Sequence, residues 1–266
     1  APRPAGTGDR PLGGLKVLDL TRILAGPIAA RTLAEHGADV LMVTAKHLPQ
    51  ADEHVRDTSH GKRSTFLDLT RPEDAETVMD LARRSDVFSQ GYRPGIMERF
   101  GLTPARLAEA NPGLIYLSIS CYGAGGPFSH AAGWEQIAQA VTGICHDQGT
   151  ERPELVPAAV CDYLTGYLGG YGVLLALLRR AREGGSYHVR VSLCQSGMFL
   201  HRQGKVDPGA PRRMPSSAEI DPVRQVSKTG YGELSHLGPV LSLSRTPPRW
   251  VHPTPTLGEH PPAFLS

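Results

Sequence analysis

The stretch that decides the fold is LKVLDLTRILAGPIAARTLAEHGADVLMV, residues 15–43. Residues 15–20 form an apolar run typical of a buried strand, and residues 38–43 form a second one. Between the two runs, Pro27 stands where helices commonly begin and Gly37 stands where they commonly end. The order strand, helix, strand predicts a βαβ crossover, in which the strands are parallel and helices cover the sheet.

The same alternation continues along the chain. Apolar runs predict further strands at residues 64–69, 86–89, 114–120 and 187–193, and helices at residues 72–82, 104–110 and 134–144. The fold class is therefore α/β, a doubly wound, mostly parallel, Rossmann-like sheet with flanking helices. Ligands of such sheets bind at the carboxyl ends of the strands, so the loops after Leu20, Val43, Ser89 and Ser120 are the places to search.

A long helix is predicted from Asp162 to Arg182, and its composition is unusual. Four glycines lie inside it: Gly166, Gly169, Gly170 and Gly172. Each glycine costs a helix about 1 kcal/mol relative to alanine. Four of them predict that another backbone approaches this helix closely.

The composition divides the chain into three parts. Residues 1–10 are expected to be a flexible tail or linker, and residues 11–200 to form one ligand-binding α/β domain. Residues 201–266 are rich in Pro, Gly, Ser and Arg and predict an irregular C-terminal arm. Such an arm is either partly disordered or wrapped around another subunit.

Charge and motif content argue against several classes of protein. The net charge is only +2, which does not favour binding to nucleic acid or to a membrane surface. The apolar run at residues 173–178 is too short to span a bilayer. Residues 1–10 are polar and not apolar, so a signal peptide is not expected. The four cysteines lack zinc-ligand spacing and suit a reducing cytoplasm. No Cys/His grouping has zinc-ligand spacing, so no metal is expected. The first strand is not followed by GxGxxG, so NAD is not expected either.

Several residues are candidates for a site, each with an ordinary structural alternative. Asp162 at a helix start is either an N-cap or a nucleophile, and Glu135 supplies a second carboxylate. The turn at residues 21–27 is either structural or a place where a helix N-terminus meets an anion. Four basic side chains either hold phosphates or are simply solvated: Lys62, Arg63, Arg93 and Arg99.

Five blocks in a fixed order carry a family resemblance. They are the stretch PLGGLKVLDLTRILAGPIAARTLAEHGADVLMV, then GKRSTFLDL, YRPGIMERFGL, NPGLIYLSISCYGAGGP and AAVCDYLTGYLGGYGVLLALLRRAREGGSYHVRVSL, and they cover about residues 11–197. Together they resemble the family III CoA-transferases, also called the CaiB/BaiF family. The resemblance implies coenzyme A or acyl-CoA as substrate, a carboxylate acceptor, and a homodimer whose chains are interlocked.

The resemblance also implies roles for single residues. Asp162 is expected to attack an acyl-CoA thioester, a mixed anhydride and an aspartyl-CoA thioester follow, and exchange with an acceptor carboxylate completes the cycle. Glu135 is expected near this nucleophile. The loop residues Ile23, Leu24 and Ala25 are expected to line the CoA cleft. Lys62, Arg63 and Arg99 fall where family members hold the phosphates or adenine of CoA.

Departures from the family pattern keep other functions open. After residue 200 the family's second domain has no visible counterpart, so we expect a shortened member that lacks most of it. One alternative is an acyl-CoA racemase or epimerase of the same superfamily, although Trp134 stands where a racemase usually has His. The other is a non-catalytic or repurposed CoA-binding homologue, or a partner subunit.

Overall fold

The computed structural model describes residues 9–206 and 213–265. In chain order its elements are β1 Lys16–Asp19, α1 Ala25–Glu35, β2 Asp39–Thr44, α2 Asp52–Thr58, β3 Lys62–Phe66, α3 Pro72–Arg83, β4 Val87–Gln90, α4 Ile96–Arg99, α5 Pro104–Ala110, β5 Ile115–Ser120, α6 Glu135–Val141, α7 Ile144–Gln148, α8 Val160–Glu183, β6 Tyr187–Ser192, α9 Leu193–Arg202, α10 Ser217–Ile220, β7 Arg224–Thr229 and β8 Gly232–Leu237. Most of the predicted tail lies outside the described residues.

The predicted parallel sheet is confirmed. Its six strands are all parallel and run in the order β3-β2-β1-β4-β5-β6. Leu18 of β1 pairs with Leu41 of β2 on one side and with Phe88 of β4 on the other. The strand order reverses between β1 and β4, and this reversal opens a crevice at the carboxyl ends of these strands.

Two apolar cores, one on each face of the sheet, hold the layers together. On one face α1 and α8 pack over the side chains of Val17, Val40 and Ile115. On the other face α3 and α5 pack over Leu18 and Phe88. Because successive strand residues point to opposite faces, the continuous apolar runs of the sequence supply both cores.

The glycines of α8 let it lie directly against α1. A Cβ atom added to Gly166 would stand 2.7 Å from the carbonyl oxygen of Ala25 and 2.7 Å from Cβ of Ile28. The predicted close approach of another backbone is therefore confirmed, and that backbone is α1. Helix α8 is also long and apolar enough to cross a membrane, which the sequence analysis did not predict. Half of its most apolar stretch is buried inside the protein.

The C-terminal region has more regular structure than predicted. It contains the short helix α10 and an antiparallel hairpin in which Val226 of β7 pairs with Ser235 of β8. Residues 249–265 then lie against β3, the edge strand of the sheet. The N–H of Gly61 donates to the carbonyl of His252 at 2.9 Å, and the N–H of His260 donates to the carbonyl of Ser64 at 2.7 Å. This part of the arm therefore packs on its own chain. A domain boundary at residue 200 stays a prediction.

Candidate active site

Asp162 occupies the first turn of α8 and is only 7 % exposed. Burial raises the pKa of its carboxyl to about 7, and the nearby charge of Glu135 adds to the rise. An interaction with the backbone N–H of Ala25, the first residue of α1, lowers the same pKa. The two packed helices thus bring a buried carboxyl and a helix N-terminus together.

Glu135, the first residue of α6, accepts hydrogen bonds from backbone N–H groups at the start of α8. One oxygen of its carboxylate accepts the N–H of Cys161 at 3.1 Å, and the other accepts the N–H of Asp162 at 2.6 Å. The Nε2 amide of Gln139 donates to the same carboxylate at 2.7 Å. Glu135 therefore caps α8 from a neighbouring helix, and the carboxyl of Asp162 is not needed as an N-cap.

The loop between β1 and α1 faces Asp162 and is held in a strained conformation. Ile23 has a φ angle of 72°, which is rare for a β-branched residue. Its side chain is 46 % exposed, whereas Leu24 and Ala25 are buried. Backbone strain of this kind concentrates at binding and catalytic sites.

Lys62 and Arg63 are engaged in ion pairs inside the chain, and a role in holding CoA phosphates stays a prediction. Lys62 is fully buried, and its Nζ lies 3.0 Å from Oδ2 of Asp19. Arg63 binds both carboxylate oxygens of Asp39, at 2.8 and 3.0 Å, and donates to the carbonyl of Ala263 at 2.7 Å. Both side chains are buried because β3 lies between β2 and the C-terminal segment.

Arg93 and Arg99 are exposed at the carboxyl edge of the sheet. Arg93 lines a cavity of about 500 Å³ at the ends of β1, β2 and β4, together with Arg22, Tyr92 and Phe100. Arg99 lies on α4 outside the residues that line this cavity. The structure thus brings Arg93 to the crevice, while Arg99 stays beside it.

Arg22 is a residue of this crevice that the sequence analysis missed. It lines the cavity, and its Nε is buried without a hydrogen-bond partner among residues 9–206 and 213–265. Arg22 follows β1, one of the two strands between which the strand order reverses. This position was the signal that could have identified it.

The nearby thiols are poor nucleophiles. Burial raises the pKa of Cys121 to about 12, and burial together with Glu135 raises the pKa of Cys161 well above its usual range. Near neutral pH both thiols therefore stay protonated, and a thiolate is the reactive form of cysteine. Within the described residues, no group of three or more His, Cys, Asp and Glu side chains could hold a metal ion.

Sequence comparison assigns the family. The family model described as CoA-transferase family III matches residues 12–222. The chain belongs to CoA-transferase family III. The six-stranded α/β fold described above is the fold of its structural neighbours in this family.

Three relatives of family III illustrate the similarity. An acetyl-coenzyme A transferase of Hypoxylon pulicicidum is 40% identical over 209 residues, with 76% of this chain and 35% of the relative covered. The β subunit of succinyl-CoA–L-malate CoA-transferase of Chloroflexus aurantiacus is 36% identical, with 70% and 50% covered. A crystal structure from Mycobacterium tuberculosis, of a protein described as a probable fatty acyl-CoA transferase, matches with a TM-score of 0.70 at 32% identity, covering 73% of this chain and 57% of that one.

The chain spans between about a third and just over half of the length of these family III relatives. The family model covers residues 12–222, and this range includes the β1–α1 loop, Glu135 and Asp162.

Proposed function

We propose that this chain carries the nucleophile of an acyl-CoA:carboxylate CoA-transferase and that the nucleophile is Asp162. The observation that carries the proposal is the buried carboxyl of Asp162 with a pKa of about 7, next to Glu135 and the start of α1. A carboxyl of this kind is largely ionised just above neutral pH. Its burial also keeps water away from the reactive acyl intermediates that a transferase must not hydrolyse.

The chemistry proceeds through four displacements at carbonyl carbons. A carboxylate oxygen of Asp162 attacks the thioester carbon of the donor, the C–S bond breaks, and CoA leaves as the thiolate. The thiolate attacks the Asp162 carbonyl of the mixed anhydride, which releases the donor acid and leaves an aspartyl-CoA thioester. The acceptor carboxylate attacks this thioester and expels the thiolate again. The thiolate then attacks the acceptor carbonyl, giving the new acyl-CoA and the free Asp162 carboxylate.

The crevice where the strand order reverses, between β1 and β4, supports a site for coenzyme A. Its cavity of about 500 Å³ combines the guanidinium groups of Arg22 and Arg93 with the rings of Tyr92 and Phe100. Guanidinium groups suit phosphates, and aromatic rings suit a purine. Arg99 beside the cavity is a further candidate for the phosphates. Ile23, Leu24 and Ala25 directly follow the cavity residue Arg22 in the chain, and their proposed role is to line the cleft for CoA.

A homodimer whose chains are interlocked also belongs to the proposal. Tyr171, Leu175 and Leu178 form one exposed apolar stripe on α8, since their spacing of four and three residues puts them on one helix face. A stripe of this kind is typical of a surface that a partner subunit covers. The cytoplasm is the proposed location.

The test is covalent trapping at Asp162. The full chain is incubated separately with acetyl-CoA and succinyl-CoA, hydroxylamine is added, and the peptide that contains Asp162 is analysed by mass spectrometry. We expect an aspartyl hydroxamate at Asp162, and none in Asp162→Asn. The matched control is Asp80→Asn, an exposed carboxylate on α3 that pairs with Arg83, and it should label Asp162 normally.

The same experiment distinguishes the other functions. Deuterium exchange at the α-carbon of an acyl-CoA without any labelling would favour a racemase instead. CoA binding with neither labelling nor exchange would favour a non-catalytic subunit. Full transferase activity in Asp162→Asn would refute the proposal.

A further inference from the structure

A buried polar network lies beneath the loop that faces Asp162, and no step of the transfer uses it directly. At its centre the carboxylate of Asp19, at the end of β1, is completely buried. It accepts the N–H of Thr21 at 3.0 Å, the Oγ1 hydroxyl of Thr21 at 2.5 Å, the hydroxyl of Ser89 at 2.9 Å and the ammonium of Lys62 at 3.0 Å. All four side chains are at most 3 % exposed.

The network fixes Thr21, and Thr21 in turn braces the loop. Two of the four hydrogen bonds to Asp19 come from Thr21. The side chain of Thr21 lies against Gly26, where an added Cβ would stand only 2.2 Å from the Thr21 Cβ. One residue therefore touches both the beginning and the end of the loop, which runs from the last residues of β1 into the first turn of α1.

The braced loop contains the strained residue and ends at the residue that faces Asp162. Ile23 keeps its φ of 72° midway between Thr21 and Gly26. Such a conformation persists only where the surroundings enforce it. Ala25, two residues later, packs directly on α8 one turn beyond Asp162, since a Cβ atom on Gly166 would stand 2.7 Å from the Ala25 carbonyl oxygen. The N–H of Ala25 also lowers the pKa of the Asp162 carboxyl.

We infer that Asp19 and Thr21 are positioning residues that hold the start of α1, with the backbone of Ala25, against the first turns of α8, where Asp162 lies. This inference rests on the proposed role of Asp162 as nucleophile. It also explains why a lysine is fully buried beneath the loop. Lys62 donates one of the four hydrogen bonds to Asp19, and the two carboxylate oxygens offer enough lone pairs to accept all four.

The decisive variant is Thr21→Val, because it removes one hydroxyl and changes no charge. Changing Asp19 or Lys62 would leave its partner as an unpaired buried charge and endanger the fold. Valine keeps the shape of threonine and its contact with Gly26. The matched control is Thr21→Ser, which keeps the hydroxyl bond to Asp19 and loses only a methyl group.

Two measurements separate positioning from simple loss of stability. The first is the titration of the Asp162 carboxyl, followed by NMR with ¹³C-labelled aspartate and assigned by comparison with Asp162→Asn. The Ala25 N–H lowers this pKa, so a loosened loop in Thr21→Val is expected to raise it above the wild-type value. The second is kcat for CoA transfer, which should fall roughly three- to tenfold, the equivalent of one lost hydrogen bond, with little change in KM.

The outcomes distinguish this inference from the proposed function. An unchanged Asp162 titration in Thr21→Val overturns the positioning role, whatever the activity. The same shift in Thr21→Ser also overturns it, because packing and not the hydroxyl would then hold the loop. Absence of labelling at Asp162 in the wild type refutes the nucleophile, but the titration still reports on the loop.

Discussion

The folded protein disfavours the ionised form of the Asp162 carboxyl, so the free energy of unfolding depends on pH. In the unfolded chain it loses its proton near the ordinary pKa of aspartate, whereas in the folded protein it keeps the proton up to about pH 7. The folded state therefore binds more protons between these values, and stability falls as pH rises through this window.

Asp162→Asn should remove this cost. We expect the variant and the wild type to be equally stable near pH 3, where the carboxyl is protonated in both states. Above pH 7 the variant should be more stable by roughly 1–4 kcal/mol, since one pKa unit corresponds to about 1.4 kcal/mol. Urea unfolding at pH 3, 5 and 8 measures the difference. Asp80→Asn is the control, and an equal gain in it at pH 8 would contradict the explanation.

Glu135→Gln should change the titration of Asp162 in the opposite direction to Thr21→Val. The charge of Glu135 raises the pKa of Asp162, so its removal should move the midpoint of the pH–labelling profile below 7. Gln offers a single carbonyl oxygen, so one of the two backbone N–H groups at the start of α8 loses its acceptor. The variant should therefore also lose about 1 kcal/mol of stability. A midpoint that stays at about 7 would show that Glu135 acts only as a cap.

At the scale of residues, the sequence indicated the two carboxylates but not how they interact. Asp162 and Glu135 are 27 residues apart in the chain, and a spacing of that size cannot show that one caps the helix of the other. Lys62 and Arg63 illustrate the same limit. A basic pair beside a strand has the same sequence pattern whether it faces a ligand or a buried carboxylate, and only the placement of Asp19 and Asp39 decides between them.

At the scale of elements, the contact between α1 and α8 determines how near the loop comes to Asp162, and two glycines test it. Gly166→Ala would place its Cβ 2.7 Å from the carbonyl oxygen of Ala25, so it should destabilise the protein by roughly 1–3 kcal/mol. Gly170→Ala would have 3.7 Å to its nearest neighbours and should stabilise by about 0.5–1 kcal/mol. Urea unfolding compares them, and labelling of Asp162 should fall only in Gly166→Ala. Equal effects of both variants would contradict the close contact.

The strands of the sheet were predictable because a buried parallel strand is an apolar run. The hairpin of β7 and β8 was not, since most of its residues are exposed on both faces and the period-2 pattern is weak. The predicted helix at residues 134–144 is divided at Gly143, whose φ of 86° ends α6 before α7 begins. Helix α9 follows β6 without a loop, so the sequence has no turn residues that indicate where the helix begins.

At the scale of the whole molecule, residues 249–265 cover the edge of β3, and an uncovered edge strand is a site of aggregation. Trp250 anchors this cover. Its ring is stacked on His60, with 4.8 Å between ring centroids, and the guanidinium of Arg31 lies 5.7 Å from the ring centroid. A Cβ on Gly61 would come within 2.7 Å of the indole, so glycine at this position leaves room for the tryptophan.

Trp250→Ala should therefore loosen the C-terminal segment before it affects the rest of the fold. We expect thermolysin to cleave within residues 238–265 at least several-fold faster than in the wild type, because an opened segment costs less free energy to expose. The uncovered edge of β3 should also increase self-association, measured by light scattering. Val251→Ala is the matched control, since Val251 is adjacent but 58% exposed. If both variants are cleaved and associate alike, Trp250 does not anchor the segment, and the backbone hydrogen bonds of His252 with Gly61 and of His260 with Ser64 suffice to hold it.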